Sequence, residues 1–357
     1  MGSKEISYQG KRVFIGIDVH RGKYAVFSVV SGVHVDNFVY HGSESGLVSV
    51  LSKRYINAKS IRCCYEAGFS GYGLCRKLKS TSIDCVVVHP GAVAVSSAKK
   101  KTDKRDAKQM SYQLFSGSLR GIYVPSESEE DLRRFCRLRR NLVKDRTRMR
   151  TRVRMLYHYY GILPLDFTGV LSYLNSQRIY VSQIRKLGDG FTKEIGTYLD
   201  SWKFLSDKIR NLDVEIKQSS VSSEIDKYYL SVPGIGMLTA RVLATELGDM
   251  SRFGSAKRLY SYLGLTPGEF SSGENRRLGH ISREGKPILR AMLIQAAWRA
   301  IKVDDALAIF YSRLKTKKGG KRAIVAVARK LAGIARSCIR EKRFYEMPKL
   351  EQSKLAA

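Results

Sequence analysis

Asp18, Glu66, Asp103 and Asp106 are the residues whose type and spacing best suit chemistry, because each ends or begins an expected element in a chain that is otherwise strongly basic. Carboxylates scattered in sequence and gathered in space usually hold a metal ion, and oxygen-only ligands favour Mg2+ or Mn2+. Unit charges about 4 Å apart repel by roughly 4 kcal/mol at an effective dielectric of 20, so such a cluster persists only with protons or cations. Taken singly the same acids are ordinary: Asp18 ends a strand, Glu66 caps a turn, and Asp103 and Asp106 suit a helix N-terminus. A second group is Ser271-Ser272-Gly273, followed by Arg276, Arg277, Arg283, Lys286 and Arg290. A serine hydroxyl becomes a nucleophile only beside a base, metal or cation, and guanidinium groups suit gripping phosphate. The tripeptide alone reads as a turn, and His280, the one evident base nearby, reads as an accessory phosphate or backbone contact.

The elements that must position the acids form one α/β pattern. Arg12 to Asp18, Tyr24 to Val30 and Val33 to Tyr40 are β-rich runs broken by Gly22 and Gly32, the mark of a three-stranded meander. Glu44 to Tyr55 has helical spacing, Ser60 to Glu66 reads as a strand, Gly71 to Lys79 as a short helix and Ile83 to His89 as a buried strand. Thr102 is a candidate N-cap for a helix from Asp103 to Leu119. The order βββαβαβα is that of the ribonuclease-H-like fold, in which the first and fourth strands are neighbours. Asp18 and Glu66 then lie side by side, and Asp103 and Asp106, three residues apart, share one helix face.

Pro125 and the run SESEED open a helical region. From Arg133 to Arg154, 11 of 22 residues are Lys or Arg, while Phe135, Leu142, Met149 and Leu156 recur every seventh residue. That pattern predicts a narrow apolar seam on a basic helix, partnered by a second helical stretch over 176–218 with Trp202 and Leu205 on its apolar side. Arg133, Arg137, Arg140, Arg148 and Arg152 are the candidate nucleic-acid contacts here; a merely solvated face is the plainer reading of such a run. Downstream, SVPGIG between two helical patterns matches a helix-hairpin-helix, whose amides near Gly234 and Gly236 can hold a phosphate. The boundaries expected are 11–125, 126–225, 226–345 and a flexible tail at 346–357.

With 64 Lys and Arg against 32 Asp and Glu, the formal net charge of +32 attracts polyanions, and nucleic acid is the expected one. If about six to ten phosphates are neutralised, affinity falls roughly 10³ to 10⁵ between 50 and 200 mM salt. No run of 18 apolar residues and no apolar signal core is present, so no membrane partner is expected and the cytoplasm is the expected compartment. The six cysteines lack paired CxxC spacing and read as buried free thiols.

Together these residues resemble the bridge-RNA-guided recombinases of the insertion sequence 110 (IS110) family, over nearly the whole chain. The resemblance is carried by GIDVH with Asp18, YEAG with Glu66, KTDKRDA with Asp103 and Asp106, VPGIG at 232–236, and GLTPGEFSSG, RLGHISREG and LR between Gly264 and Arg290. It implies a RuvC-like DEDD domain holding divalent metal, a helical coiled-coil region for oligomerisation, and a mainly helical C-terminal serine transposase domain. It further implies that Ser272 attacks DNA to form a phosphoserine intermediate, with Ser271 the neighbour most easily confused with it. Also implied are donor and target double-stranded DNA, a noncoding bridge RNA, a homo-oligomer (a dimer, or a tetramer in the synaptic complex), and sites composed across subunits. Two other readings fit the residues without a serine nucleophile. One is a structure-selective nuclease resembling a Holliday-junction resolvase, using metal-activated water; the other is a nucleic-acid-binding scaffold whose acids only cap.

Overall fold

Alternation along RVFIGIDVH sends Val13, Ile15 and Ile17 to one side of a strand and Phe14, Gly16, Asp18 and His20 to the other. In the computed structural model, which describes residues 8–93, 102–161, 188–220, 223–269 and 278–348, this strand is β1 (Arg12–His20). It is followed by β2 (Lys23–Val30), β3 (Val33–His41), α1 (Glu44–Arg54), β4 (Ser60–Glu66), α2 (Gly73–Ser80), β5 (Asp84–Val88) and α3 (Asp103–Phe115). The sheet order is β3-β2-β1-β4-β5, with β1 antiparallel to β2 and parallel to β4. These elements make up one of two compact units, Met1–Pro125; the other is Ser126–Ala357.

The two faces of the sheet are covered differently. On one, Val13, Ile15 and Ile17 are sealed by Leu47 and Leu51 of α1 and Leu74 and Leu78 of α2, all fully buried. On the other, α3 brings Ala107, Met110 and Leu114 against Phe27, Cys64 and Val88. Its approach is closest at Gly16, where a Cβ would stand 2.0 Å from the Ala107 carbonyl oxygen and 2.7 Å from the Ser111 nitrogen. Only a residue without a side chain admits the helix there. Most ends fall within two residues of expectation, β1 running past Asp18 to His20, but α3 stops at Phe115, four residues short of Leu119, because Gly117 takes φ +73°.

In the second unit, Ser126 and Glu129 close a capping box that starts α4 (Glu127–Tyr159). This helix runs antiparallel to α5 (Asp189–Ser220): Val153 and Tyr157 pack with Phe191, Ile195, Leu199 and Trp202 at one end, while Arg139 bonds Asp213 at 3.1 Å toward the other. The expected seam holds in part, since Met149 and Leu156 pack against this cluster. Phe135 is exposed and Leu142, Met149 and Leu156 are half-buried, whereas Cys136, Val153 and Tyr157 are buried. A strict seven-residue repeat drifts about 20° per heptad on a straight helix, enough over this length to move the buried stripe by a neighbouring position. Residues 176–187 of the expected partner helix lie outside the described residues.

Beyond them come α6 (Glu224–Ser231), α7 (Met237–Leu247), α8 (Ala256–Tyr262), the short strands β6 (Pro267–Glu269) and β7 (Leu278–Ile281), α9 (Pro287–Ala300), α10 (Asp305–Lys318) and α11 (Gly320–Arg340). Leu243, Leu259, Leu289, Leu293, Val327 and Leu331 form their core, which Cys136 of α4 and Ile216 of α5 also enter. Among the described residues no helix is long and apolar enough to cross a membrane. Gly16→Ala forces the new methyl into the α3 backbone and lowers unfolding free energy by about 1–3 kcal/mol. Denaturant melts of the two proteins measure this, and an unchanged midpoint would mean that α3 does not rest on β1 as described.

Candidate metal centre and phosphate-binding segments

Parallel pairing of β1 with β4 brings Ile17 opposite Tyr65, so Asp18 and Glu66 are the next residues on adjacent strands. Both are on the α3 side: Gly16 and Cys64, each two residues earlier, meet that helix, the Cys64 thiol donating to the Met110 carbonyl at 3.5 Å. With α3 seated on Gly16, its first turn delivers Asp103 and Asp106 to the same end of the sheet. The tightest donor group among the described residues is Asp18, His20 and Asp103, whose ligand atoms lie within 4.8 Å of one another. Glu66 and Asp106 stand beside this group.

Two residues of the site were not anticipated. His20 Nε2 lies 3.3 Å from Asp18 Oδ2 and 3.3 Å from Asp103 Oδ1, bridging strand and helix. Lys23, opposite His20 in the β1–β2 register, donates to Asp103 Oδ2 at 2.7 Å. The signal for His20 was its place two residues after Asp18, on the same face of an alternating strand, and the hairpin register then selects Lys23.

The two acids of the group are held in opposite directions. Burial pushes the Asp18 carboxyl up, opposed by His20 and reinforced by the charges of Asp103 and Asp106. The Lys23 hydrogen bond holds Asp103 below the ordinary aspartate value. A half-buried carboxylate crowded by two more acids is electrostatically unfinished, and a divalent cation completes it. The donor set therefore fits a hard divalent metal, with Asp18 and Asp103 as the nearest ligands and a nitrogen donor available from His20.

In the second unit the segment 270–277, with Ser271, Ser272, Arg276 and Arg277, lies outside the described residues. The strands on either side of it, β6 and β7, pair antiparallel, and the Ser282 amide donates to the Thr266 carbonyl at 2.8 Å. Two glycines lock the frame beneath them. A Cβ on Gly264 (φ +64°) would stand 2.0 Å from the Glu284 carbonyl oxygen, and one on Gly285 (φ +94°) 2.1 Å from that of Tyr262. Arg290 is buried and donates to the carbonyls of Leu263 and Glu284, so its guanidinium clamps this frame. Arg283 (φ +55°) and His280 are exposed.

Several expected phosphate contacts are committed to the fold instead. Arg133 is buried and its Nε donates to the Thr245 carbonyl. Arg137 donates to Oε1 of buried Glu246 from Nε at 3.1 Å and Nη2 at 2.8 Å, and the Lys286 ammonium pairs with Oε2 of the same carboxylate. Burial pushes the Glu246 carboxyl up, but Lys286 and Arg137 outweigh it and hold it below its ordinary value. The cations gather there because the C-terminal end of α7 presents a carboxylate and a partial negative charge together. Arg148 and Arg152 remain on the surface, the first paired with Asp145 and the second over the Tyr198 ring, while Arg140 is half-buried. At VPGIG, Gly234 (φ +77°) lets the turn between α6 and α7 rest on α9, where a Cβ would stand 2.2 Å from the Ala296 carbonyl oxygen. Gly236 begins α7 without a side-chain cap.

Family models match stretches of both units. A family model for IS110 DEDD transposases matches residues 15–160, and one described as Transposase IS116/IS110/IS902 family matches residues 226–312. The Sinorhizobium fredii protein y4qE is 27% identical over 365 residues, covering 93% of this chain and 90% of its own. The transposase for insertion sequence element IS1111A of Coxiella burnetii is 26% identical, covering 72% of each chain. That for IS1533 of Leptospira borgpetersenii is 26% identical over 81% of this chain and 85% of its own.

A carboxyl whose pKa folding raises binds its proton more tightly in the native state, so it withdraws stability as pH climbs from the ordinary aspartate range through the raised value. Metal-free Asp18→Asn is accordingly more stable than the parent at neutral pH, and the difference vanishes in acid; melts across pH measure it. Mg2+ or Mn2+ at about a hundred times its Kd stabilises the parent by roughly 2.7 kcal/mol and leaves Asp18→Asn unmoved. A parent protein indifferent to both ions would sink the metal assignment.

Proposed function

From the premise that the chain belongs to the IS116/IS110/IS902 family of insertion-sequence transposases, we propose that it is a site-specific DNA recombinase acting through a serine nucleophile and a metal-holding carboxylate site. The observation that carries this reading is the convergence of Asp18 and Asp103, from a strand and a helix far apart in sequence, with Glu66 and Asp106 at the same end of the sheet. The strand order, with β1 between β2 and β4, supports a RuvC-like, ribonuclease-H-like domain. Asp18, Glu66, Asp103 and Asp106 hold Mg2+ or Mn2+, which when bound neutralises charge on the oxygens of a scissile phosphate.

The chain's own residues do the rest. Ser272, in the segment between β6 and β7, attacks phosphorus through Oγ: an Oγ–P bond forms, a P–O bond to deoxyribose breaks, and the proton lost by the serine hydroxyl is balanced by one taken up by the freed deoxyribose oxygen, which leaves as a hydroxyl. The phosphodiester energy is kept in the serine ester, so a hydroxyl of the exchanged strand reseals the backbone and releases Ser272 without an external energy source. Arg276, Arg277 and Arg283 grip the phosphate; Lys286 and Arg290 hold the frame from which that segment springs. The VPGIG turn, as a helix-hairpin-helix, and surface arginines such as Arg148 and Arg152 contact the backbone of donor and target DNA. The bridge RNA that selects those DNAs, assembly into a homo-oligomer through the α4–α5 region, and sites shared between subunits complete the reading.

The test copurifies the protein with RNA from the flanks of its own gene, adds donor and target DNA with Mg2+, and looks for protease-sensitive protein–DNA adducts. Adducts form with the parent and with Ser271→Ala and are lost with Ser272→Ala and Asp18→Ala. Metal-dependent free ends without an adduct would reassign the chain as a nuclease, and binding without cleavage would leave a scaffold. The division among the basic residues has its own readout. Arg148→Ala and Arg152→Ala each flatten the dependence of log K on log salt by about one phosphate contact and leave the melting temperature unchanged. Arg133→Ala lowers the melting temperature because its guanidinium is part of the core.

A further inference from the structure

The second unit carries an aromatic surface that its core does not use. α9 packs through Leu289, Leu293, Ala296, Ala297 and Ala300, all buried, while Trp298 is 44% exposed. An indole left this open sacrifices apolar burial, so its place invites explanation by something that covers it. Its ring lies 5.7 Å, edge-on, from that of Tyr311 on α10. The Tyr311 hydroxyl in turn reaches the start of α11, 3.2 Å from where a Cβ on Gly320 would stand. Trp298 is thus fixed beside the tip KTKKGGKR that joins α10 to α11, where Lys317, Lys318, Lys321 and Arg322 are all exposed. On its other flank the exposed Arg299 lies 3.9 Å from a Cβ built on Gly236, at the VPGIG turn.

The charge around this ring is one-sided. Residues 298–322 contain eight Lys or Arg and two acids, and of those Asp304 is buried, capping α10 and accepting from the Tyr345 hydroxyl at 2.6 Å. An exposed, positioned indole inside a field of cations suits a ligand that is a polyanion and has flat unpaired rings. A duplex offers phosphates but keeps its bases stacked and inaccessible; a protein partner with an apolar patch would not need the cations. We propose that Trp298, with Tyr311 behind it, is a stacking platform for an unpaired base of single-stranded nucleic acid, whose phosphates are held by Arg299 and by Lys321 and Arg322. This rests on the reading that the chain works on nucleic acid, but requires neither the carboxylate site nor the serine.

The experiment uses the full chain, without guide RNA and without metal. It is titrated with a short oligothymidylate, with the matching oligouridylate, and with a blunt duplex of the same length. Anisotropy of a label on the nucleic acid reports all binding. Tryptophan emission reports this site, because the chain has two tryptophans and the other, Trp202, is buried in the α4–α5 contact. Both single strands, or the preferred one of them, quench the emission while the duplex binds without comparable quenching. Trp298→Ala loses the quenching and binds the single strand about tenfold more weakly, Trp298→Phe recovers part of that affinity, and Lys321→Ala with Arg322→Ala weakens binding most at low salt and flattens its salt dependence. Because Trp298 lies at the surface, these variants keep the parent melting temperature. Equal quenching by the duplex, or single-strand affinity unchanged in Trp298→Ala, overturns the platform alone; absence of binding to every nucleic acid overturns it together with the nucleic-acid reading.

Discussion

A missing methyl group sets the geometry of the first unit. Because Gly16 has no side chain, α3 lies with its backbone against β1, and its first turn falls beside the strand end that carries Asp18. Strand pairing independently fixes Glu66 next to Asp18. The acids are therefore assembled by two rigid relations, sheet register and helix seating, neither of which depends on the acids attracting one another; electrostatically they do the opposite. Burial and the neighbouring carboxylates push Asp18 up, and His20 and Lys23 moderate the cluster from within the β1–β2 hairpin. The sheet core of Val13, Ile15 and Ile17 supplies the stability against which this repulsion is held.

The second unit shows how a chain of net charge +32 uses its cations. Arg133, Arg137, Arg252 and Lys286 all reach the last turn of α7, two on carbonyls and two on the Glu246 carboxylate, with Arg137 still half exposed. Arg241 forms a buried pair with Asp226 at 3.1 Å. Each is a cation that composition alone would assign to a polyanion. Removing either partner of that buried pair would leave an uncompensated charge inside the core, which is costly. Other cations, on α4 and around the α10–α11 tip, stay on the surface, where they are open to a polyanion.

Much of this was legible in the sequence, for reasons that differ by element. The strands and helices of the first unit follow from periodicity, and the neighbour relation of β1 and β4 follows from their order, so Asp18 could be set beside Glu66 without coordinates. His20 and Lys23 are not legible in the same way, because nothing local carries β1 past Asp18 and only the hairpin register sets Lys23 against His20. The heptad on α4 finds Met149 and Leu156, which pack against the α5 cluster, and misses the fully buried Val153 and Tyr157, since packing obeys the helix's own pitch. Nothing local in Arg133, Arg137 or Lys286 marks which of many cations will find Glu246 or a helix end. Ser271, Ser272, Arg276 and Arg277 lie outside the described residues, so their roles rest on motif and family.

The frame around that serine segment has a consequence for how such proteins can change. Its two sides are joined by contacts between main chains: Gly264 against Glu284, Gly285 against Tyr262, and Arg290 grasping carbonyls. Such contacts are indifferent to the side chains carried between them. Side chains borne on β6 and β7 can therefore vary without altering how the two sides of the frame meet, whereas a side chain at Gly264 or Gly285 cannot be admitted without parting them.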